Sequence, residues 1–275
     1  MGFFASSGIL NRRGFFGGAF SPFSPSSIPN LGLWLDANVG VDKDGSNLVT
    51  RWYDQSGNGR NVLQFVASRK PTFLSNELNG KPAINFFYDS LGTGKVLFGN
   101  TRAFMWKAGA ASVFVVLQSN KFSTLENAFL ISERSPSPVA IYGIVAAQTN
   151  ALTKLNAFIS SEGTTFLPFK TPNGYGTAYD QAWRIATMID DGNYMNGYVD
   201  GVLGNIVNYS ITPNRAAWMS PVDLFIGAGT NPFSLSQSPT SSFSAKVAEI
   251  IIYSRALNNT ERVQVGNYLK SKWGI

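Results

Sequence analysis

Trp52-Tyr53-Asp54-Gln55-Ser56-Gly57-Asn58-Gly59-Arg60-Asn61 is the densest motif of the chain. Its chemistry is that of a closed turn. An aspartate side chain accepts hydrogen bonds from the amides of the loop that follows it, and glycine supplies positive φ where the loop doubles back. Asp54 is the expected acceptor, Gly57 and Gly59 are the expected turn residues, and Trp52 anchors the loop in the core. Asp54 and Asn58 also offer oxygens to a ligand or a calcium ion, so that role stands beside the structural one.

Upstream of this motif lies Leu33-Trp34-Leu35-Asp36-Ala37. At the far end lie Ala248-Glu249-Ile250-Ile251-Ile252-Tyr253-Ser254-Arg255-Ala256-Leu257, Glu261-Arg262 and Tyr268-Leu269-Lys270-Ser271-Lys272-Trp273-Gly274-Ile275. Together these stretches resemble the concanavalin A-like, laminin-G-like jelly-roll modules of secreted bacterial proteins and phage virions. The resemblance spans about Pro29 to Ile275. It implies an all-β, concanavalin A-like jelly-roll β-sandwich. It implies less about function, since this fold hosts lectins, glycosidases and structural modules.

Short apolar runs separated by turn signals agree with that fold. Val113-Phe114-Val115-Val116-Leu117 is the continuous kind of run found in a strand buried on both faces. Runs at 128–131, 139–142, 155–159, 183–189, 194–201, 223–227 and 247–253 are further strand candidates. Asp190-Asp191-Gly192-Asn193 and Asp200-Gly201 carry the aspartate–glycine signature of hairpins. One short C-terminal helix is expected. Asn258 and Glu261 have capping-box spacing, and Val265, Tyr268, Leu269 and Trp273 recur at the helical period.

Composition narrows the function classes. The chain has 275 residues and contains neither cysteine nor histidine. Disulfides, Cys/His zinc sites and serine–histidine or cysteine–histidine catalysis are therefore excluded. The net charge of +6 is spread along the chain, so no nucleic-acid partner is expected. No apolar run approaches a membrane span and no export-signal pattern precedes Ala19, so no membrane partner is expected either. Glycosidases of this fold typically place two Glu four residues apart on one strand. The six Glu, at 77, 126, 133, 162, 249 and 261, include no such pair, so no enzyme activity is expected.

Residues 1–30 differ from the rest, with six Phe, six Ser, five Gly, three Pro and no acidic residue. The division expected is a flexible Gly/Phe/Ser/Pro-rich assembly arm at 1–30 and a jelly-roll domain at 31–275. Plain solvated tails are depleted in aromatics. Phe3, Phe4, Phe15 and Phe16 are the expected anchors into a partner, with Arg12 and Arg13 between them.

Three short patterns fail on inspection. Asp42-Lys43-Asp44-Gly45-Ser46 lacks the rest of an EF-hand loop and reads as a hairpin turn. Gly92-Thr93-Gly94-Lys95 lacks the first Gly and the final Ser or Thr of a phosphate loop. Met1–Ser6 fits a myristoylation pattern too short to carry weight. A candidate glycan-binding loop spans 166–179, with Phe169, Asn173, Tyr175 and Tyr179 as aromatic and amide groups. The leading expectation is a structural protein of a phage virion, attached to capsid or tail by its arm and located on the virion surface. Its partners would be other virion proteins, further copies of itself and cell-surface glycan. The alternative is an extracellular carbohydrate-binding protein that recognises polysaccharide. No cofactor is expected, with calcium as the one ion kept in view.

Overall fold

The computed structural model describes residues 23–87, 94–100, 104–119, 128–136, 139–149, 152–159, 182–208, 223–227 and 244–275. Its strands are β1 (Leu31–Asp36), β2 (Val41–Lys43), β3 (Val49–Trp52), β4 (Val62–Leu63), β5 (Thr72–Leu78), β6 (Lys81–Asn85), β7 (Leu97–Asn100), β8 (Ala111–Ser119), β9 (Ala128–Pro136), β10 (Val139–Thr149), β11 (Leu152–Ile159), β12 (Trp183–Asp190), β13 (Tyr194–Val199), β14 (Val202–Asn208), β15 (Asp223–Ile226) and β16 (Ala245–Tyr253). Two helices join them, α1 (Phe104–Ala108) and α2 (Asn259–Trp273). All named strand pairs are antiparallel.

The strands form two eight-stranded sheets. The first runs β14-β13-β12-β8-β16-β6-β5, with β1 also paired to β16. The second runs β11-β10-β9-β15-β7-β4-β3-β2. The architecture is the jelly-roll β-sandwich that the sequence predicts, with a short helix at the C-terminus.

Side chains alternate between the faces of a strand, so a strand covered on both sides must be apolar throughout. In β8, Val113, Val115 and Leu117 enter the core between the sheets, while Phe114 and Val116 enter a second core beneath α2. Strand β16 divides in the same way: Ile250 and Ile252 face the first core, Ile251 and Tyr253 the second. The first sheet is thus the middle layer. Fully burying each such side chain contributes about 1.5–3 kcal/mol.

Helix α2 begins as its spacing predicts. Asn258 Oδ1 accepts from the Glu261 amide at 3.0 Å, and Glu261 Oε2 accepts from the Asn258 amide at 3.0 Å. It ends at Gly274, whose φ of 71° closes the helix in the left-handed region. Asn79 Nδ2 caps the terminus by donating to the carbonyls of Trp273 and Gly274 at 2.7 and 3.1 Å. At the β13–β14 hairpin, Asp200 and Gly201 both adopt positive φ, 53° and 87°, as a two-residue turn of this hand requires.

Residues Phe23–Asn30 pack on the domain. Pro25–Ser27 form a 3-10 turn capped by Ser24, Ile28 is buried, and the Tyr253 hydroxyl donates to the Pro25 carbonyl at 2.9 Å. The Phe23 ring lies 5.9 Å from that of Tyr268 on α2. The last eight residues of the expected 1–30 arm are therefore held by burial and hydrogen bonding, which the Pro/Ser-rich composition concealed. Residues 1–22 lie outside the described residues.

Candidate functional site

The turn motif resolves into a closed hydrogen-bond system. Asp54 Oδ1 accepts from the amides of Trp34 and Ser56 at 3.0 and 2.9 Å. Its Oδ2 accepts from the Arg60 amide at 3.0 Å and the Ser56 hydroxyl at 2.8 Å. Asn58 Nδ2 donates to the Leu31 carbonyl at 2.8 Å, and an Arg60 guanidinium nitrogen to that of Gly32 at 2.6 Å. Gly57 and Gly59 have φ of 87° and 69°. Both Asp54 oxygens thus serve donors of the fold, and the loop is stitched to the first residues of β1.

The two outer stretches of the resemblance meet in the same way. In β1–β16 pairing, Asp36 opposes Glu249. Glu249 has no solvent exposure. It accepts the indole N–H of Trp34 at 2.6 Å and of Trp273 at 2.6 Å, and the Tyr268 hydroxyl at 3.1 Å. Lys272 Nζ lies 2.7 Å from Glu249 and 2.6 Å from Asp36. Burial, more than the neighbouring Asp36, pushes the Glu249 carboxyl above its ordinary value despite Lys272. Burial also raises the Tyr268 phenol, and Glu249 adds to that shift. This is a sealed structural cluster, with its carboxylate turned away from solvent.

The accessible chemistry lies on the outer face of the second sheet. Directly opposed residues share a face. Trp52, Val62, Leu97, Leu224, Ile226 and Ile131 fill the core, so their strand neighbours point outward. The pairings Arg51↔Leu63, Leu63↔Phe98 and Phe98↔Phe225 trace one row across that face, on which Phe225 is itself buried in a small cluster with Val96 and Phe98 packs half-buried against it. At one end of the row the Phe65 ring stands 73% exposed. It meets Phe98 edge-on, with centroids 6.2 Å apart.

Beside Phe65 is a depression of about 230 Å³ lined by Asp42, Thr50, Arg51, Gln64, Phe65 and Lys70, with Leu63. Its polar groups are held in place. The Tyr53 hydroxyl donates to Asp42 Oδ2 at 2.8 Å and accepts from Arg51 at 3.1 Å. Gln64 is nearly buried, donating to the Val96 carbonyl at 3.0 Å and accepting the Val66 amide at 2.9 Å. Lys70 pairs with Asp44 at 3.2 Å. The Leu48 amide, with Lys70 and the Ser46 amide, holds Asp44 below the usual carboxylate range. The Asp42–Ser46 stretch is the β2–β3 turn that its sequence predicts, with Asp44 accepting from the Ser46 and Leu48 amides.

An exposed aromatic face beside fixed donors and an acceptor can bind a ring-shaped polar ligand. Asp42 is the sole carboxylate lining this depression among the described residues. The sequence singled out none of Phe65, Arg51 or Tyr53. The signal was strand pairing, which places Phe98 beneath Phe65 from over thirty positions downstream. Phe3, Phe4, Arg12, Arg13, Phe15 and Phe16 of the arm lie outside the described residues, as do Phe169, Asn173, Tyr175 and Tyr179 of the predicted glycan loop.

No protein-family model and no curated protein matches the sequence. Solved structures do. Domain 4 of AbnA, an extracellular GH43 arabinanase of Geobacillus stearothermophilus in complex with arabinotriose, matches at TM-score 0.53 and 12% identity, over 86% of this chain and 98% of that one. The receptor-binding domain of botulinum neurotoxin mosaic serotype C/D matches at TM-score 0.54 and 13% identity, over 89% of this chain and 52% of that one. A Trypanosoma rangeli sialidase gives 0.49 at 13% identity, and this chain covers only 33% of its length. At such identities the likeness is one of fold.

Proposed function

We propose that the domain is a non-catalytic carbohydrate-binding module that uses the outer face of its second sheet. The observation that carries this reading is the exposed Phe65 ring, backed by Phe98 and flanked by the hydrogen-bonded Asp42–Tyr53–Arg51 series. Sugar rings present apolar C–H faces edged by hydroxyls, and such a surface complements both. The match over nearly the whole of an arabinanase domain that was solved with arabinotriose supports the same reading. Affinity electrophoresis of the full chain against arabinan, β-glucan, galactan and pectin tests it. Retardation by at least one polysaccharide is expected, without release of reducing sugar.

A second proposal concerns where the module is displayed. The acid-free, Phe-rich sequence of residues 1–22 favours a structural protein of a phage virion, with that segment as the tether to other virion proteins. Burying aromatic side chains in a partner would offset the cost of ordering the segment. Imaging the assembled particle tests this proposal independently of glycan binding.

A further inference from the structure

A second depression, of about 280 Å³, lies on the opposite side of the sandwich, between α2 and the β13–β14 hairpin. Arg262, Gly266 and Lys270 line it from the helix. They stand at i, i+4 and i+8, so they form one stripe along α2. The guanidinium of Arg262 lies 4.2 Å from the centroid of Tyr198. Its hydrogen bonds go to the Gly201 carbonyl at 3.4 Å and Asn259 Oδ1 at 2.7 Å, while its Nε is buried with no partner. Lys270 Nζ donates to the Asp200 carbonyl at 3.0 Å. Neither cation is paired with a carboxylate among the described residues. Asp200 also lines the depression, and its carboxylate is committed to Arg184 at 2.9 Å and to the Ile185 amide at 2.8 Å.

Gly266 sits between these cations without a structural need for glycine. It lies in helical backbone, and a Cβ built there meets nothing within 4 Å. Glycine weakens a helix interior relative to alanine. Its effect is to open a notch between two positive charges. Val202 and Val263, both exposed, provide apolar walls beside it.

We propose that this notch binds the carboxylate of an acidic saccharide unit, such as a uronic acid within a polysaccharide. The inference rests on the carbohydrate-binding reading and names a ligand class for a separate site. Arg262 and Lys270 would grip the carboxylate, Asn267 would reach a ring hydroxyl, and the two valines would cover the C–H face. Screening by salt would weaken the contact, since the two cations are only half-buried.

Isothermal titration of the full chain with trigalacturonic acid and with its methyl ester tests the proposal. The acid should bind at least tenfold more tightly than the ester, and the preference should fall as salt is raised. The double variant Arg262→Gln, Lys270→Gln should lose at least tenfold for the acid while keeping affinity for neutral glycan. Gly266→Met, a good helix former that fills the notch, should lose the acid in the same way and keep its thermal midpoint. Equal affinity for acid and ester, or an unchanged affinity in either variant, overturns the proposal. So does equal competition by hexa-aspartate, which would assign the notch to anions of any kind. Binding of neutral glycan without acid preference defeats this site alone. Failure to bind any glycan defeats the broader reading with it.

Discussion

Trp273 donates its indole N–H to Glu249 across 2.6 Å, with both side chains fully buried. The bond joins the last turn of α2 to β16, an inner strand of the first sheet. Trp34 on β1 brings its own indole to the other oxygen of the same carboxylate. Glu249 thereby fastens three elements from opposite ends of the chain.

Removing that carboxylate should cost more than removing a surface one. Glu249→Ala leaves two indoles and Lys272 facing an empty site, a loss of about 3–5 kcal/mol for a broken buried pair. Urea unfolding measures it. Glu249→Gln keeps the shape and should cost less. The pH dependence has a definite sign. A carboxyl whose native value is raised above the ordinary 4.5 binds its proton more tightly when folded. Its contribution to stability is therefore fullest at low pH and is lost as pH rises through the native value. The stability of wild type relative to Glu249→Gln should increase on acidification across that window. A relative stability that falls on acidification would contradict the assignment.

Asp54→Ala should destabilise the fold without selectively removing ligand binding. Three loop and strand amides lose their acceptor, and because they are part-buried each costs at most about 1–3 kcal/mol. Thermal melting, with glycan affinity measured below the transition, separates the two roles. A normal melting temperature with lost affinity would make Asp54 a ligand-binding residue.

Truncation should show a sharp boundary. Deleting residues 1–22 keeps every contact described above and should leave unfolding unchanged. Deleting residues 1–28 removes the buried Ile28 and the Pro25 carbonyl that accepts from Tyr253. That variant should lose about 2–4 kcal/mol, from an apolar side chain and an unpaired buried hydroxyl. Equal stability of the two truncations would place the domain boundary later than Phe23.

Replacing Phe3, Phe4, Phe15 and Phe16 with Ser should abolish incorporation into particles or oligomers and leave the melting temperature unaltered. Sedimentation and particle reconstitution read the outcome. Normal incorporation would remove the tether from the account and leave a free binding module.

The core of the fold was legible where physical constraints were strongest. Val113–Leu117 reads as a buried strand because both of its faces are covered, and α2 reads from Asn258 and Glu261 to Trp273 because cap and period agree. Strands β2 to β7 escaped notice. Five of them have two to five residues each, too few for a period to register, and β5, Thr72–Leu78, shows no apolar alternation. Glu249 looked like an isolated acid in an apolar run, since its donors, Trp34 and Trp273, come from distant positions. Phe65 follows Leu63 and Gln64 in a stretch with no clear alternation, and only the pairings of Leu63 with Arg51 and Phe98 set the face that Phe65, two positions on, shares. Sites assembled by pairing between strands leave little trace in local sequence.

The central claim is that glycan binds on the outer face of the second sheet. Titration calorimetry of wild type and Phe65→Ala with the polysaccharide retained in the binding screen tests it most directly. Phe65 is largely exposed, so its removal should leave the thermal midpoint within a degree or so of wild type, as surface substitutions usually do. The account predicts that affinity falls at least tenfold. Undiminished affinity in a normally folded Phe65→Ala variant would contradict it.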